Sequence, residues 1–185
     1  MIPEGVTFYG GSRVAEDAWR LAEVAHAGQK YGRSPYMKHV CDVVRVARVQ
    51  FPEDEELHIA SILHDTIEQT VVTEADLHAH FGDGVAKLVW AVTPGPGENR
   101  TGRNAETYRR IREVGVRAVK LRLCDRIANV EACWETRDRR LFMYRDEHGA
   151  LRENLWSWST FDSGTAALWD RLDKLFGWRK GEKRT

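Results

Sequence analysis

Three residues suited to metal binding or proton transfer lie within the segment SILHDTIEQT, residues 61–70. A helix rotates by about 100° per residue, which places Glu68 roughly 40° and Asp65 roughly 100° from His64. An imidazole and two carboxylates thus share one wedge of a single predicted helix. Because an unpaired carboxylate is costly to bury among apolar neighbours and a divalent cation offsets that cost, the wedge predicts part of a metal site.

Two more candidate ligands lie on helical faces that are predicted to point inward. His39 lies within YMKHVCDVVRVARV, on the side of its apolar residues, so we expect a buried histidine. Asp125 lies within VRAVKLRLCDRIANVEACW, opposite the main apolar face and among small residues that leave room for a ligand. Either residue alone is more often structural. The order His, His-Asp, Asp on three helical segments favours a metal site.

These segments resemble the HD-domain metal phosphohydrolases. The resemblance is to the branch that hydrolyses the alarmone (p)ppGpp, which comprises the hydrolase domain of Rel/SpoT proteins and the small alarmone hydrolases, including the Mesh1 type. It spans roughly residues 14 to 150 and rests on AEVAHAGQKYGRSPYMKHV, ILHDTIEQT and VKLRLCDRIANV. It implies a helical bundle with a central metal site. The absence of a convincing alternating strand pattern independently predicts an all-α fold.

The resemblance also implies a role for each chemical residue. His39, His64, Asp65 and Asp125 would bind the metal, which is usually manganese in this family. Two imidazoles and two carboxylates with open positions suit Mn²⁺, although these ligand types do not exclude iron, zinc or cobalt. The metal would activate a water for attack on a phosphoryl group, and Glu68 would orient that water or carry its proton.

The chain departs from the family pattern beside this glutamate. Gln69 stands where the family has an aspartate. An amide cannot give or take a proton, but it can hold a water or a substrate hydroxyl by hydrogen bonds. We therefore place Gln69 with the catalytic residues. We predict an enzyme that is slower than its relatives or whose activity is redirected to another substrate.

Predicted substrate contacts come from positions matched to the family. Lys30 and Tyr31 correspond to a basic pair near the base, and Asn129 corresponds to an asparagine facing the nucleoside. Tyr31 is expected to stack on a purine. The alternative for Lys30 is an ordinary charged loop residue.

The glycine- and proline-rich segment TPGPGENRTGRNAETYRRI, residues 93–111, is predicted to be a mobile loop with Asn104 capping the next helix. Guanidinium groups match phosphate oxygens in a bidentate manner, so Arg103, with Arg100 as a further candidate, is predicted to contact substrate phosphate. The alternative is a solvated linker.

Three functions are compatible with these residues. The first is a small alarmone hydrolase that removes the 3′-pyrophosphate from (p)ppGpp or (p)ppApp. The second is another nucleotide phosphatase on the same scaffold, either an NADPH 2′-phosphatase or a nucleotidase. The third is a nucleotide sensor whose catalysis is weakened at Gln69.

Size and composition predict one domain, residues 1–185, with a core of about 12–150, tryptophan-rich C-terminal helices at 150–178 and a basic tail at 179–185. We expect most of the C-terminal tryptophans to be core residues, because each carries a large apolar area. They are Trp134, Trp156, Trp158, Trp169 and Trp178.

Charge and hydropathy restrict the partners. Lys plus Arg and Asp plus Glu number 28 each, which argues against a general nucleic-acid binder. With no long apolar run, no signal-peptide pattern and an odd number of cysteines, the sequence predicts a cytoplasmic protein that does not bind membranes. The expected partner is a purine nucleotide, and a homo-oligomer is left open.

Local sequence signals predict several helix ends. They are Ser12 before a helix that runs through His26, Asp54 before the His-Asp helix, a capping box formed by Thr73 and Asp76, and Gly82 between two short helices.

Overall fold

The chain is built almost wholly from α-helices, and the computed structural model describes residues 12–159 and 162–177. Two short strands, β1 (Lys30–Tyr31) and β2 (Ser34–Pro35), pair antiparallel between the first two helices. The predicted all-α class is confirmed. The helices are α1 (Arg13–Ala25), α2 (Tyr36–Gln50), α3 (Glu55–Leu63), α4 (Thr66–Gln69), α5 (Glu74–Val92), α6 (Arg100–Val114), α7 (Val116–Thr136), α8 (Arg140–Leu155) and α9 (Ser163–Phe176), with a 3₁₀ turn at Trp156–Trp158.

The predicted caps lie where the helices begin. The side chain of Ser12 accepts a backbone N–H at the start of α1, and that of Asp54 does so at the start of α3. Thr73 and Asp76 form a reciprocal capping box at the start of α5. Gly82 interrupts α5 with φ 82° and ψ 171°, a conformation that favours glycine. These local predictions are confirmed. The sequence could make them because each cap depends only on neighbouring residues.

The structure contradicts the loop predicted over residues 93–111. Helix α6 already begins at Arg100, so Asn104 lies inside the helix and does not cap it. The cap is Asn99, whose side chain accepts a backbone N–H from the first turn at 2.9 Å. Both asparagines are capable caps, and the structure uses the earlier one, which lengthens α6.

Helix α7 is the centre of the bundle and packs against α2, α3, α5, α6, α8 and α9. Every residue of α7 from 123 to 130 is buried, so the helix is surrounded on all sides rather than on one face. Asp125 and Asn129 are therefore interior residues. Residues 57–63 of α3 are also buried throughout, which brings the end of α3 against the centre of α7.

The C-terminal tryptophans have different environments. Trp169 on α9 is fully buried and donates its indole N–H to the Ser159 hydroxyl at 2.9 Å. Trp156 is half-buried. Trp134, near the C-terminal end of α7, is 56% exposed and is therefore not one of the core tryptophans. Trp178 and the side chain of Trp158 lie outside the described residues.

None of the helices within the described ranges combines the length and the apolar character needed to cross a membrane. The prediction that residues 1–185 form one domain is not tested by these ranges and stays a prediction.

Candidate metal centre and adjoining cavity

The His-Asp pair lies at a break between two helices. Helix α3 ends at Leu63 and α4 begins at Thr66, so the predicted single helix carrying His64, Asp65 and Glu68 is wrong. Asp65 has φ −103° and ψ −1°, in the bridge region between helix and strand, which is common at active sites. Hydrophobic periodicity does not detect a break of only two residues, His64 and Asp65.

Four side chains bring one donor atom each to a common point. The Nε2 atom of His64 lies 3.2 Å from Nε2 of His39, 3.1 Å from Oδ2 of Asp65 and 3.8 Å from Oδ1 of Asp125. His39 Nε2 lies 3.6 Å from each of the same two carboxylate oxygens. Adjacent ligands of an ion with bonds of about 2.1 Å lie about 3 Å apart. The donor types and their spacing therefore fit one divalent cation.

Electrostatics within this cluster also favour a cation. Burial opposes ionisation of Asp65, but the neighbouring imidazoles hold the pKa of its carboxyl well below the usual range. Burial lowers the pKa of His64, whereas the charges of Asp65 and Asp125 raise it, and the net result is a pKa of about 9. The carboxylates thus attract positive charge to His64 Nε2, and a bound metal ion would take the place of that proton.

Hydrogen bonds hold three of the four candidate ligands. His64 Nδ1 lies 2.9 Å from the Ser61 carbonyl oxygen, the outer contact that usually orients a metal-bound histidine. The Tyr36 hydroxyl donates to Asp65, and the Asn129 amide donates to Asp125. We did not predict a site role for Tyr36, although the Pro-Tyr pair before His39 was an available signal.

A cavity of about 230 Å³ opens beside the four donors. The histidines and carboxylates line this cavity together with arginines of α6 and α7, so metal-type donors and positive charge lie in the same space. Sequence reasoning identified the two arginines of α6 but missed those of α7, which lie one and three residues from Asp125. The arginines that line the cavity are Arg100, Arg103, Arg122 and Arg126.

These arginines differ in how far carboxylates already neutralise them. Arg100 and Arg126 both donate to Glu147, from α6 and α7 respectively, and Arg122 donates to Asp125 at 3.1 Å. Within the described part of the chain, Arg103 has no carboxylate partner. Arg103 is therefore the arginine best able to bind an added anion.

The predicted base contacts have other partners. Lys30 is exposed and does not line the cavity. The Tyr31 ring stacks on His39 with centroids 4.5 Å apart, and the Arg140 guanidinium lies over the ring at 4.8 Å. The Tyr31 hydroxyl donates to Asn129. Stacking of a purine on Tyr31 would require one of these groups to move, so the geometry does not support that prediction.

Glu68 and Gln69 line the cavity beside the four donors. Glu68 remains in contact with solvent, and desolvation by its surroundings together with the nearby charges of Asp65 and Asp125 raises the pKa of its carboxyl. A carboxyl with a raised pKa exchanges protons more readily near neutral pH. The Gln69 carbonyl accepts a hydrogen bond from Gln29 at 2.8 Å, which ties α4 to the residue before β1.

The HD-domain family model matches residues 18–146, a range that contains every donor described above. The chain belongs to the HD-domain family. This confirms the family that the sequence motifs predicted. Within the HD domain, the metal-binding role of the four donors remains a proposal.

Curated relatives of this HD domain include two proteins named guanosine-3′,5′-bis(diphosphate) 3′-pyrophosphohydrolase. The protein of Aquifex aeolicus is 34% identical over 125 residues, which cover 65% of this chain and 18% of the relative. The protein of Vibrio cholerae is 34% identical over 117 residues, which cover 60% of this chain and 16% of the relative. The chain thus spans less than a fifth of the length of either relative.

A solved structure shares the fold over nearly its whole length. It is a metazoan orthologue of SpoT, described as hydrolysing ppGpp and as having a role in starvation responses. The TM-score is 0.75 at 23% sequence identity, and the alignment covers 93% of this chain and 97% of that one. At this level of identity the comparison establishes the HD-domain fold.

Proposed function

We propose that this HD domain is a metal-dependent phosphohydrolase that removes the 3′-pyrophosphate from (p)ppGpp or (p)ppApp. The observation that carries the proposal is a cluster of metal-type donors in a cavity that arginines also line. One donor atom each of His39, His64 and Asp125 lies within 4.8 Å of the others. Asp65 adjoins both histidines. Carboxylates and imidazoles attract a cation, and guanidinium groups attract phosphate. The names of the two curated relatives support the alarmone as substrate.

In this proposal His39, His64, Asp65 and Asp125 hold the metal, and the ion is Mn²⁺. When bound, the ion supplies Lewis-acid stabilisation of phosphoryl charge and activates water at neutral pH. The donor types agree with Mn²⁺ and also accept other divalent transition metals. The tight spacing around His64 Nε2 supports one ion rather than two.

The remaining residues act on the substrate and on protons. Glu68, with its raised pKa, accepts a proton from the attacking water, and the Gln69 amide holds a water or a substrate hydroxyl. Arg103 binds phosphate oxygens and neutralises charge on the departing pyrophosphate. Asn129 and Tyr31 line the same cavity. A purine nucleotide is the proposed partner, and a cytoplasmic location stays a prediction.

The reaction products test this function. The purified full chain is incubated with Mn²⁺ and, separately, ppGpp, pppApp, NADPH and a set of nucleoside phosphates. Release of pyrophosphate from the first two is the expected result. Orthophosphate alone, from NADPH or from nucleoside phosphates, would identify a different phosphatase. Retained nucleotide binding without any release would identify a sensor, and either result would overturn the proposed reaction.

The ligand assignment has its own prediction. His64→Ala and Asp125→Ala should lose bound manganese and hydrolysis together, because each removes a donor from the same ion. Metal analysis after gel filtration measures the first loss, and product release measures the second. His78→Ala is the matched control, since His78 is exposed and lies outside the cavity lining. Full manganese content in both donor variants would refute the assignment.

A further inference from the structure

The two candidate histidine ligands are held in different ways. His64 directs its Nδ1 to the Ser61 carbonyl, which orients Nε2 toward the common point. His39 is buried, and its Nδ1 has no hydrogen-bond partner within the described residues. A metal-bound histidine usually donates its second ring N–H to a fixed acceptor. Some other contact must therefore orient the His39 ring.

Two tyrosines supply that contact. The Tyr31 ring stacks on His39 with an interplanar angle of 11°, at a centroid distance of 4.5 Å. The Tyr36 ring meets His39 edge-on at 5.9 Å and 85°, and it meets Tyr31 at 6.1 Å and 87°. Parallel and edge-on contacts of this kind are the favourable arrangements of aromatic pairs. Together these contacts restrict rotation of the imidazole ring.

The hydroxyls of the same tyrosines reach the two carboxylates. Tyr36 donates directly to Asp65. Tyr31 donates to the Asn129 side-chain oxygen, and the Asn129 amide nitrogen donates in turn to Asp125. Each tyrosine therefore contacts His39 through its ring and a carboxylate through its hydroxyl.

The Tyr36 side chain also packs against residues that are not metal ligands. Its ring stacks on the buried His26 at 4.4 Å and 11°, and His26 Nδ1 lies 2.9 Å from the Gln29 side-chain oxygen. Gln29 also donates to the Gln69 carbonyl at 2.8 Å. The segment between α1 and α2 is thus connected to His39, Asp65, Asp125 and the end of α4 through named contacts.

We propose that Tyr31 and Tyr36 are positioning residues that orient three of the four metal ligands. The Tyr36 hydroxyl orients Asp65 directly, and the Tyr31 hydroxyl orients Asp125 by way of Asn129. The rings of both tyrosines orient His39. This inference rests on the metal site of the proposed function and specifies how that site is preorganised. It assigns Tyr31 and Asn129 to the ligand network in place of the base contact implied by the family resemblance.

The test replaces each hydroxyl while the ring stays in place. Tyr31→Phe and Tyr36→Phe are prepared as full-length chains, and Mn²⁺ affinity is measured by calorimetric titration of metal-free protein. We expect affinity to fall roughly 10- to 100-fold in each variant, as for other outer contacts of metal ligands. Tyr108→Phe is the matched control, because the buried Tyr108 hydroxyl has no hydrogen-bond partner among the described residues and does not line the cavity.

Kinetics and a double variant separate positioning from substrate contact. At saturating Mn²⁺, Tyr31→Phe should lower kcat and leave KM for guanine and adenine nucleotides within about twofold, since the hydroxyl acts on the metal ligands. Tyr31→Phe combined with Asn129→Ala should weaken Mn²⁺ binding no more than the stronger single variant, because both break one hydrogen-bond chain. Additive losses would contradict that chain.

Two further results would overturn the inference. One is Mn²⁺ affinity equal to wild type in both phenylalanine variants. The other is a raised KM with unchanged kcat and metal affinity in Tyr31→Phe, which would make Tyr31 a substrate contact. The metal titration does not depend on which substrate is cleaved. A wild-type chain that binds Mn²⁺ but releases no pyrophosphate would therefore refute the proposed function and leave this inference to be decided by the variants.

Discussion

Position 69 holds an amide directly after the glutamate that we propose as the proton acceptor. Gln69 lines the cavity, and its backbone is held by Gln29, so the side chain is well placed to contact substrate but cannot exchange a proton. Gln69→Asp adds a second carboxylate beside Glu68. We expect a gain in pyrophosphate release from ppGpp of about 100-fold, the lower end of general acid-base contributions.

The comparison that checks this prediction is kcat on ppGpp for the variant and the wild-type chain under identical Mn²⁺ saturation. Gln69→Glu offers a control in which the carboxylate is one methylene further away. Equal rates in the wild type and the aspartate variant would show that the amide does not limit the reaction.

Glu68 supports a second residue-scale prediction. Glu68→Gln keeps the size of the side chain and removes its proton exchange. Because Glu68 is not one of the four donors, the variant should retain Mn²⁺ but lose turnover by a factor on the order of 100. Metal content and kcat are measured on the same preparation. Unchanged kcat would leave Glu68 with a structural role only.

At the scale of elements, helix α6 carries Arg100 and Arg103 to the cavity wall, and its start determines where they point. Asn99→Ala removes the cap and should lower the free energy of unfolding by about 1 kcal/mol. Asn104→Ala is the matched comparison, because alanine inside a helix is at least as favourable as asparagine. Urea denaturation of both variants is the measurement. A larger loss of unfolding free energy in Asn104→Ala than in Asn99→Ala would show that Asn104 is the cap.

The break between α3 and α4 is the other element-scale determinant of the site. Because of this break, His64 and Asp65 lie between the two helices, whereas Glu68 lies in α4. His64 and Asp65 can then approach His39 of α2 and Asp125 of α7. The Thr66 hydroxyl donates to the Leu63 carbonyl at 2.7 Å and satisfies a backbone group that the break leaves open.

At the scale of the whole molecule, one ion would join α2, the α3–α4 junction and the central helix α7. Binding to the folded chain alone stabilises it, by about 2.7 kcal/mol when the ion is at 100 times its Kd. We therefore expect Tm to rise on addition of Mn²⁺ and to fall again after chelation. In His64→Ala the same additions should leave Tm unchanged. Thermal unfolding followed by circular dichroism tests this, and a Tm in the wild type that is independent of Mn²⁺ would contradict a metal shared by the three segments.

The sequence by itself determined the all-α class, the caps at Ser12, Asp54 and Thr73, and the four side chains that the fold brings together. These features depend on residue type, on periodicity and on neighbours within one helical turn, all of which are visible in the order of residues.

Only the tertiary structure decided the partners of Tyr31 and Tyr36, the cap at Asn99 and the approach of Arg122 and Arg126 to the cavity. Tyr31 and Asn129 are separated by 98 residues along the chain, and no local pattern records their contact. The burial of α7 on all sides is also a property of the assembled bundle, because it depends on which helices pack around it. That burial turns Asp125 and Asn129 into interior residues whose hydrogen bonds must be satisfied within the protein.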